Sequence, residues 1–159
     1  MGHLGLTPQS VHGLGGMKVQ ARTNAALKVL TSEARELEDA GCFAIVLECV
    51  PAQGARRVTD LLKIPTIGIG AGPHVNGQVL VYQDVLGLNP GFKPKFLRVY
   101  ANTFEVIRTA LNAYDNDVKA GAFPAENESY KDLEATKGTE HPAQNGRGSR
   151  ITLSSEMNQ

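Results

Sequence analysis

Two residues of this chain combine a titratable group with a setting in which it could do chemistry. Glu48 is the only charged residue in the run Phe43-Ala44-Ile45-Val46-Leu47-Glu48-Cys49-Val50. A strand alternates its side chains between two faces, which places Glu48 with Ala44 and Val46 and opposite Phe43, Ile45 and Leu47. The larger set is expected to face helices, leaving Glu48 on the other face at the C-terminal end of the strand. Burial there would raise a carboxyl group toward the range useful for taking a proton from carbon. A carboxylate paired with an Arg or Lys in a structural network is the plain alternative. His3, at the head of Leu4-Gly5-Leu6, could hydrogen-bond or polarise a substrate carbonyl at the same edge, although a single histidine is more often structural.

Other candidates carry weaker signals. His12 and His74 lie in loop-like surroundings and His141 in a polar C-terminal stretch. Their spacing is not that of a zinc site, so none is assigned a metal. Gly68-Ile69-Gly70-Ala71-Gly72 offers backbone amides to an anion, but any tight turn asks for the same glycines. Pro73 follows and no helix opens directly on the segment, so it is not a dinucleotide fingerprint. Asp84 could bind a ligand or cap the next turn, the cap being the favoured reading, and Lys18, after Gly15-Gly16-Met17, could meet an anionic substrate or only solvent, solvent being the favoured reading. Cys42 and Cys49 match no metal motif and are expected as buried thiols without a disulfide.

The elements that must position these residues follow from periodicity. Residues 25–40 place Ala26, Leu30, Ala34 and Leu37 on one helical stripe, and Gly41 supplies the stop. Residues 43–50 form an almost continuous apolar run, the pattern of a parallel strand buried on both faces. Pro51 closes it, and residues 53–63 are expected as a helix with Ala55, Val58 and Leu62 inward and Arg56, Arg57 and Lys63 outward. Residues 64–70 read as a further strand and residues 79–87 as a third strand or strand-like turn. Residues 96–120 carry the pattern of a long amphipathic helix ending at Gly121. This alternation argues for an α/β fold with a parallel sheet and right-handed crossovers, so the strand C-termini share one edge and function belongs there. Beyond Pro124 the sequence turns polar and irregular, and residues 126–159 are expected to form a disordered tail.

Composition narrows the function classes. The chain has 159 residues, 42% of them hydrophobic, enough for one domain with a real core. Sixteen basic residues balance sixteen acidic ones, so nothing in the charge favours a nucleic-acid or membrane partner, and small-molecule ligands fit better. No apolar run approaches the roughly 18 residues that cross a bilayer, and no signal peptide is visible. Met1-Gly2 opens as a myristoylation motif would, but Leu6 stands where Ser or Thr is required. The chemistry-bearing segment lies at the very start of the chain, which therefore reads as part of an enzyme cut at a strand. Three complete strands cannot close a barrel of eight strands and typically roughly 250 residues.

Four segments, in this order and at these separations, resemble the ketopantoate hydroxymethyltransferase family. They are Gly2-His3-Leu4-Gly5-Leu6-Thr7-Pro8-Gln9-Ser10, Leu47-Glu48-Cys49-Val50-Pro51, Ile67-Gly68-Ile69-Gly70-Ala71-Gly72 and Gly77-Gln78-Val79-Leu80-Val81. The resemblance covers about residues 2–124 and leaves the tail unmatched. It implies a (β/α)8 TIM barrel, of which residues 1–125 would be the C-terminal half. It also implies transfer of a one-carbon unit from methylenetetrahydrofolate, the co-substrate, to 3-methyl-2-oxobutanoate, giving 2-dehydropantoate (ketopantoate) on the route to pantothenate and coenzyme A.

In the family a magnesium ion chelates the 2-oxo acid and a glutamate removes the proton at C3. By resemblance Glu48 matches that glutamate, the proton acceptor, and His3 matches a histidine beside the substrate. The magnesium-binding carboxylates and a lysine that holds the substrate lie in the family's N-terminal half, so no metal ligand is assigned in this chain. The chain alone is not expected to be active unless that half is supplied. The resemblance further implies a homo-oligomer and an intracellular location, mitochondrial in a eukaryote, though no targeting segment is seen. Two alternatives stand beside it: a non-catalytic half-barrel fragment that pairs through its open edge with a full-length enzyme, and another barrel enzyme of oxo-acid chemistry.

Overall fold

The computed structural model describes residues 1–91 and 93–131. It falls into two units, Met1–Asn116 and the part that begins at Asp117. The first unit contains β1 (Gly2–Gly5), α1 (Asn24–Asp39), β2 (Ile45–Glu48), α2 (Ala52–Leu61), β3 (Thr66–Ile69), β4 (Gly77–Gln78) and a single helical turn, α3 (Tyr82–Val85). The helix α4 (Thr103–Ala120) runs across the boundary. In the second unit Gly121 takes φ +71°, donating its amide to the Val118 carbonyl, and a 3₁₀ turn follows at Glu126–Glu128. The tail expected over residues 126–159 falls mostly outside the described residues.

All four strands are parallel and lie in the order of the sequence, β1-β2-β3-β4. Ile45 and Leu47 are fully buried on one face of β2, where they join Leu30 and Ala34 of α1 and Ala55 and Val58 of α2 in a single core. The other face of the same strands carries His3, Val46, Glu48, Ile67 and Ile69, all only partly buried. The alternation expected for the second strand therefore holds for Ile45, Leu47 and Glu48. Phe43 departs from it: it precedes the strand and is 71% exposed, so it does not face the helices.

Both crossover helices form where their periodicity places them, and for local reasons. Thr23 caps α1, its hydroxyl oxygen accepting from the amide of Ala26 at 3.1 Å. At the other end Gly41, at φ +91°, allows the amide of Cys42 to reach the Leu37 carbonyl and its own amide to reach Glu38, a Schellman closure. The buried face of α2 presents Gly54, Ala55 and Val58, while Arg56 and Arg57 are exposed. Gly54 has no room for a larger residue without pressing on Leu27 and Val50, at 3.3 Å each. Thr66 is the fully buried polar residue of the core. Its hydroxyl lies 2.8 Å from that of Thr59 and 3.2 Å from the Asn76 side-chain oxygen, which also accepts from its amide. Among the described residues no buried side-chain nitrogen or oxygen lacks a partner.

Two elements differ from the sequence reading. The strand or strand-like turn expected over residues 79–87 forms no strand: β4, Gly77–Gln78, ends just before it, and Tyr82–Val85 is a helical turn. Val79, Val81 and Tyr82 are 45%, 48% and 65% exposed, so the apolar run does not enter the core as a central strand would. The long helix begins at Thr103 rather than at residue 96. The amide of Tyr100 donates to Val85 and that of Thr103 to Leu86, tying the preceding segment back to the end of α3.

Candidate functional site

The C-terminal ends of β1 and β2 bring the two strongest candidates together. In the parallel register His3 stands opposite Val46 and Gly5 opposite Glu48. His3 and Glu48 thus share a face, one step apart along the strands. The His3 Nε2 lies 3.0 Å from the Glu48 Oε2. An ionised carboxylate can only accept, so in that state the ring nitrogen donates. The side chains are 33% and 20% exposed, shielded but open to small molecules.

Gly5 makes this approach possible. It adopts φ +92°, and a Cβ there would stand 2.1 Å from the backbone oxygen of Glu48 and 2.9 Å from Val50. The amide of Leu6 donates to that same Glu48 oxygen at 2.9 Å, so the chain turns away from the sheet directly beside the carboxylate. Cys49, next along, also has a positive φ of 51°, uncommon for a residue with a side chain. Its amide donates to Ile69 and its carbonyl accepts from Gln20, which hold the turn in place.

Glu48 and Cys49 open onto a cavity of about 300 Å³, walled by Leu6, Met17, Val19, Ile69, Val81 and Phe96 and with Lys18, Asp84 and Lys95 among its polar lining. A mostly apolar cavity with a few convergent charges is the usual form of a small-molecule site. His3 is not among the residues lining this space and instead lines a second hollow with Thr7, Ser10 and Glu33. The Cys49 thiol is pushed above its ordinary value, first by burial and then by the negative charge of Glu48. It therefore stays protonated near neutrality and is a poor nucleophile. Both cysteines are free, and both are only partly buried, Cys42 included.

Several weaker candidates resolve differently. Asp84 is not the cap of its helical turn: Val81 holds the N-cap position without a side-chain bond, and Asp84 sits in the first turn and lines the cavity. Lys18, read as solvated, is exposed yet also reaches the cavity wall. His12 and His74 are exposed. His141 lies outside the described residues. The glycines after β3 serve packing: a Cβ at Gly72 would meet Ala52 at 2.4 Å and one at Gly70 would meet Phe96 at 2.8 Å. Phe96 escaped the sequence reading because it was assigned to the outset of a long helix, and Lys95 because it lies in the unassigned stretch just before it. Pro94, one residue earlier, was the available sign that the segment is not regular.

Among the described residues no group of three or more His, Cys, Asp or Glu side chains is placed to hold a metal ion. Nor is any of the described helices long and apolar enough to cross a membrane.

A family model described as ketopantoate hydroxymethyltransferase matches residues 1–126. The chain is 56% identical over 137 residues, 86% of its length, to a 3-methyl-2-oxobutanoate hydroxymethyltransferase of Methylobacterium sp. strain 4-46. It is 57% identical over 130 residues to the protein of that name in Bdellovibrio bacteriovorus, and 56% over 126 residues to the one in Syntrophomonas wolfei subsp. wolfei. These matches cover 82% and 79% of the chain. The chain spans about half the length of these curated relatives: 48%, 49% and 46%. A four-stranded parallel sheet with flanking helices, in a chain of half that length, is the arrangement of part of a barrel.

Proposed function

The chain belongs to the ketopantoate hydroxymethyltransferase family, and on that premise we propose that it contributes the proton-abstracting part of a 3-methyl-2-oxobutanoate hydroxymethyltransferase site. The observation that carries the reading is the Glu48 carboxylate, at the C-terminal end of β2, on the wall of a 300 Å³ cavity with His3 bonded to it. Barrel enzymes place their reacting groups at that end of their strands.

In this reading Glu48 takes the C3 proton of the 2-oxo acid. The C3–H bond breaks, its electron pair becomes the C2–C3 double bond of the enolate, and the proton stays on the carboxyl group. The enolate C3 then forms a bond to the methylene carbon carried by methylenetetrahydrofolate. That carbon's two C–N bonds to the folate break, a water oxygen bonds to it as the new hydroxyl, and the proton held by Glu48 and one from the water end on the two folate nitrogens. With one water consumed, the products are tetrahydrofolate and 2-dehydropantoate. The apolar walls exclude water from the enolate, and Lys18 and Lys95 supply positive charge for the acid's own carboxylate. Cys49, held protonated, takes no covalent part.

Magnesium enters this reading by resemblance only. The described residues do not form a ligand set for it, and no step here is derived through it. Assembly as a homo-oligomer stands on the same footing. The test is product formation by the chain combined with the part of the Methylobacterium relative that it does not cover. With both substrates and magnesium supplied, 2-dehydropantoate should be detected by mass spectrometry. A folded assembly that forms none would overturn the proposal.

A further inference from the structure

Resting on the reading of Glu48 as proton acceptor, we infer that His3 is a positioning residue, which acts on the reaction through Glu48 rather than by touching the substrate. Three observations carry this. The ring nitrogen Nε2 is engaged with Oε2 of Glu48 at 3.0 Å. Glu48 lines the cavity, whereas His3 is absent from its lining and lines a second hollow with Leu4 and Gly5 of β1. Gly5, directly opposite Glu48 in the register, contributes no side chain, so the imidazole reaches the carboxylate from the adjacent position on β1.

A carboxyl group at the end of a flexible side chain has a broad terminal torsion, and a proton is taken efficiently from carbon only when one oxygen is aimed at it. The bond from Nε2 occupies Oε2 and fixes that torsion, leaving Oε1 as the oxygen for the substrate. A partly exposed pair of this kind adds little to stability, so its consequence lies in geometry. Gly5 belongs to the same device: a side chain there would displace the Glu48 backbone on which the carboxylate is mounted.

Two measurements test the role, and they separate it from the reading beneath it. In the chain as it stands, ¹⁵N NMR of the histidine ring should show His3 bearing its proton on Nε2, and Glu48→Gln should shift that nitrogen. Unchanged ring shifts in Glu48→Gln would overturn the proposal whether or not the chain turns over. In the assembly described above, His3→Leu should lower kcat about 100-fold with KM within about twofold, the scale of a misplaced reacting group. His3→Gln, whose amide nitrogen can donate from the place of Nε2, should recover most of that loss. A His3→Leu variant that raises KM and spares kcat would show that His3 contacts the substrate itself, contradicting the positioning role. Activity that survives Glu48→Gln would instead remove the base assignment, and this role with it, even if the NMR pair is present.

Discussion

At the end of β2 a carboxylate and a thiol occupy consecutive positions, and the charge of the first acts on the second. Burial and the Glu48 charge both hold the Cys49 thiol protonated. Replacing Glu48 by Gln removes one of those two influences, so Cys49 should react faster with iodoacetamide at pH 8, followed by mass spectrometry of the labelled peptide. An unchanged rate would show that the Glu48 charge does not reach the thiol. Glu38 illustrates the opposite shift. It lies below the ordinary carboxylate range, chiefly because its oxygen accepts from the Lys63 amide at 2.6 Å, with the Ile64 amide and Arg35 adding to the effect against some opposing desolvation. Because the folded value is the lower one, its contribution to stability is present above the unfolded carboxylate range and is lost as the pH falls through the folded value. Glu38→Gln should therefore be less stable than the parent in urea at pH 7, and the gap should narrow at low pH. An equal gap at both pH values would contradict this. The sequence made Glu48 legible because a single charge in an apolar run has few plain explanations. It could not show the His3 bond, since 45 residues separate the partners and only the parallel register joins them.

Among the elements, α1 and α2 could be read from the sequence by their amphipathic spacing, with Gly41 as the stop signal of α1, whereas α2 ends at Leu61, two residues before its expected end. The Schellman closure after α1 rests on Gly41, whose φ of +91° strains any other residue even though nothing lies within 4 Å of a Cβ placed there. Gly41→Ala should thus lower stability by about 1 kcal/mol through backbone conformation alone. In urea the midpoint should fall with the slope unchanged, and an unaltered midpoint would place the helix stop elsewhere. The strand ends were less legible. Val79-Leu80-Val81 has the composition of a strand, yet the parallel pairing stops at Gln78. The chain then closes a helical turn, with the amides of Asp84 and Val85 both donating to the Val81 carbonyl. A run of β-branched residues marks a strand only when a neighbour and a cover are available, and here several of those side chains face solvent. The same turn moved Asp84 from an expected cap to the cavity wall.

On the scale of the whole molecule, alternating strands and helices were enough to foresee a parallel sheet whose strand C-termini share one edge. The register of β1 on β2 is what turns that edge into a site. The cavity could not be foreseen because it is assembled from Leu6, Lys18, Glu48, Ile69 and Phe96, which lie in five separate segments. Three of these, Leu6, Lys18 and Phe96, lie in connecting segments whose course periodicity does not specify. Among the described residues β1 pairs only with β2. With a chain that spans about half of its relatives, this bears on how the proposed role of the Glu48 carboxylate should be tested. The most direct measurement is deuterium exchange at C3 of 3-methyl-2-oxobutanoate, followed by proton NMR without folate so that only proton abstraction is read. The assembly would consist of this chain, the uncovered part of the Methylobacterium relative, and magnesium. The parent should exchange the proton well above background, and a folded Glu48→Gln variant should lose at least about 100-fold of that rate. Exchange by Glu48→Gln at the parent rate would contradict the assignment of Glu48 as the base.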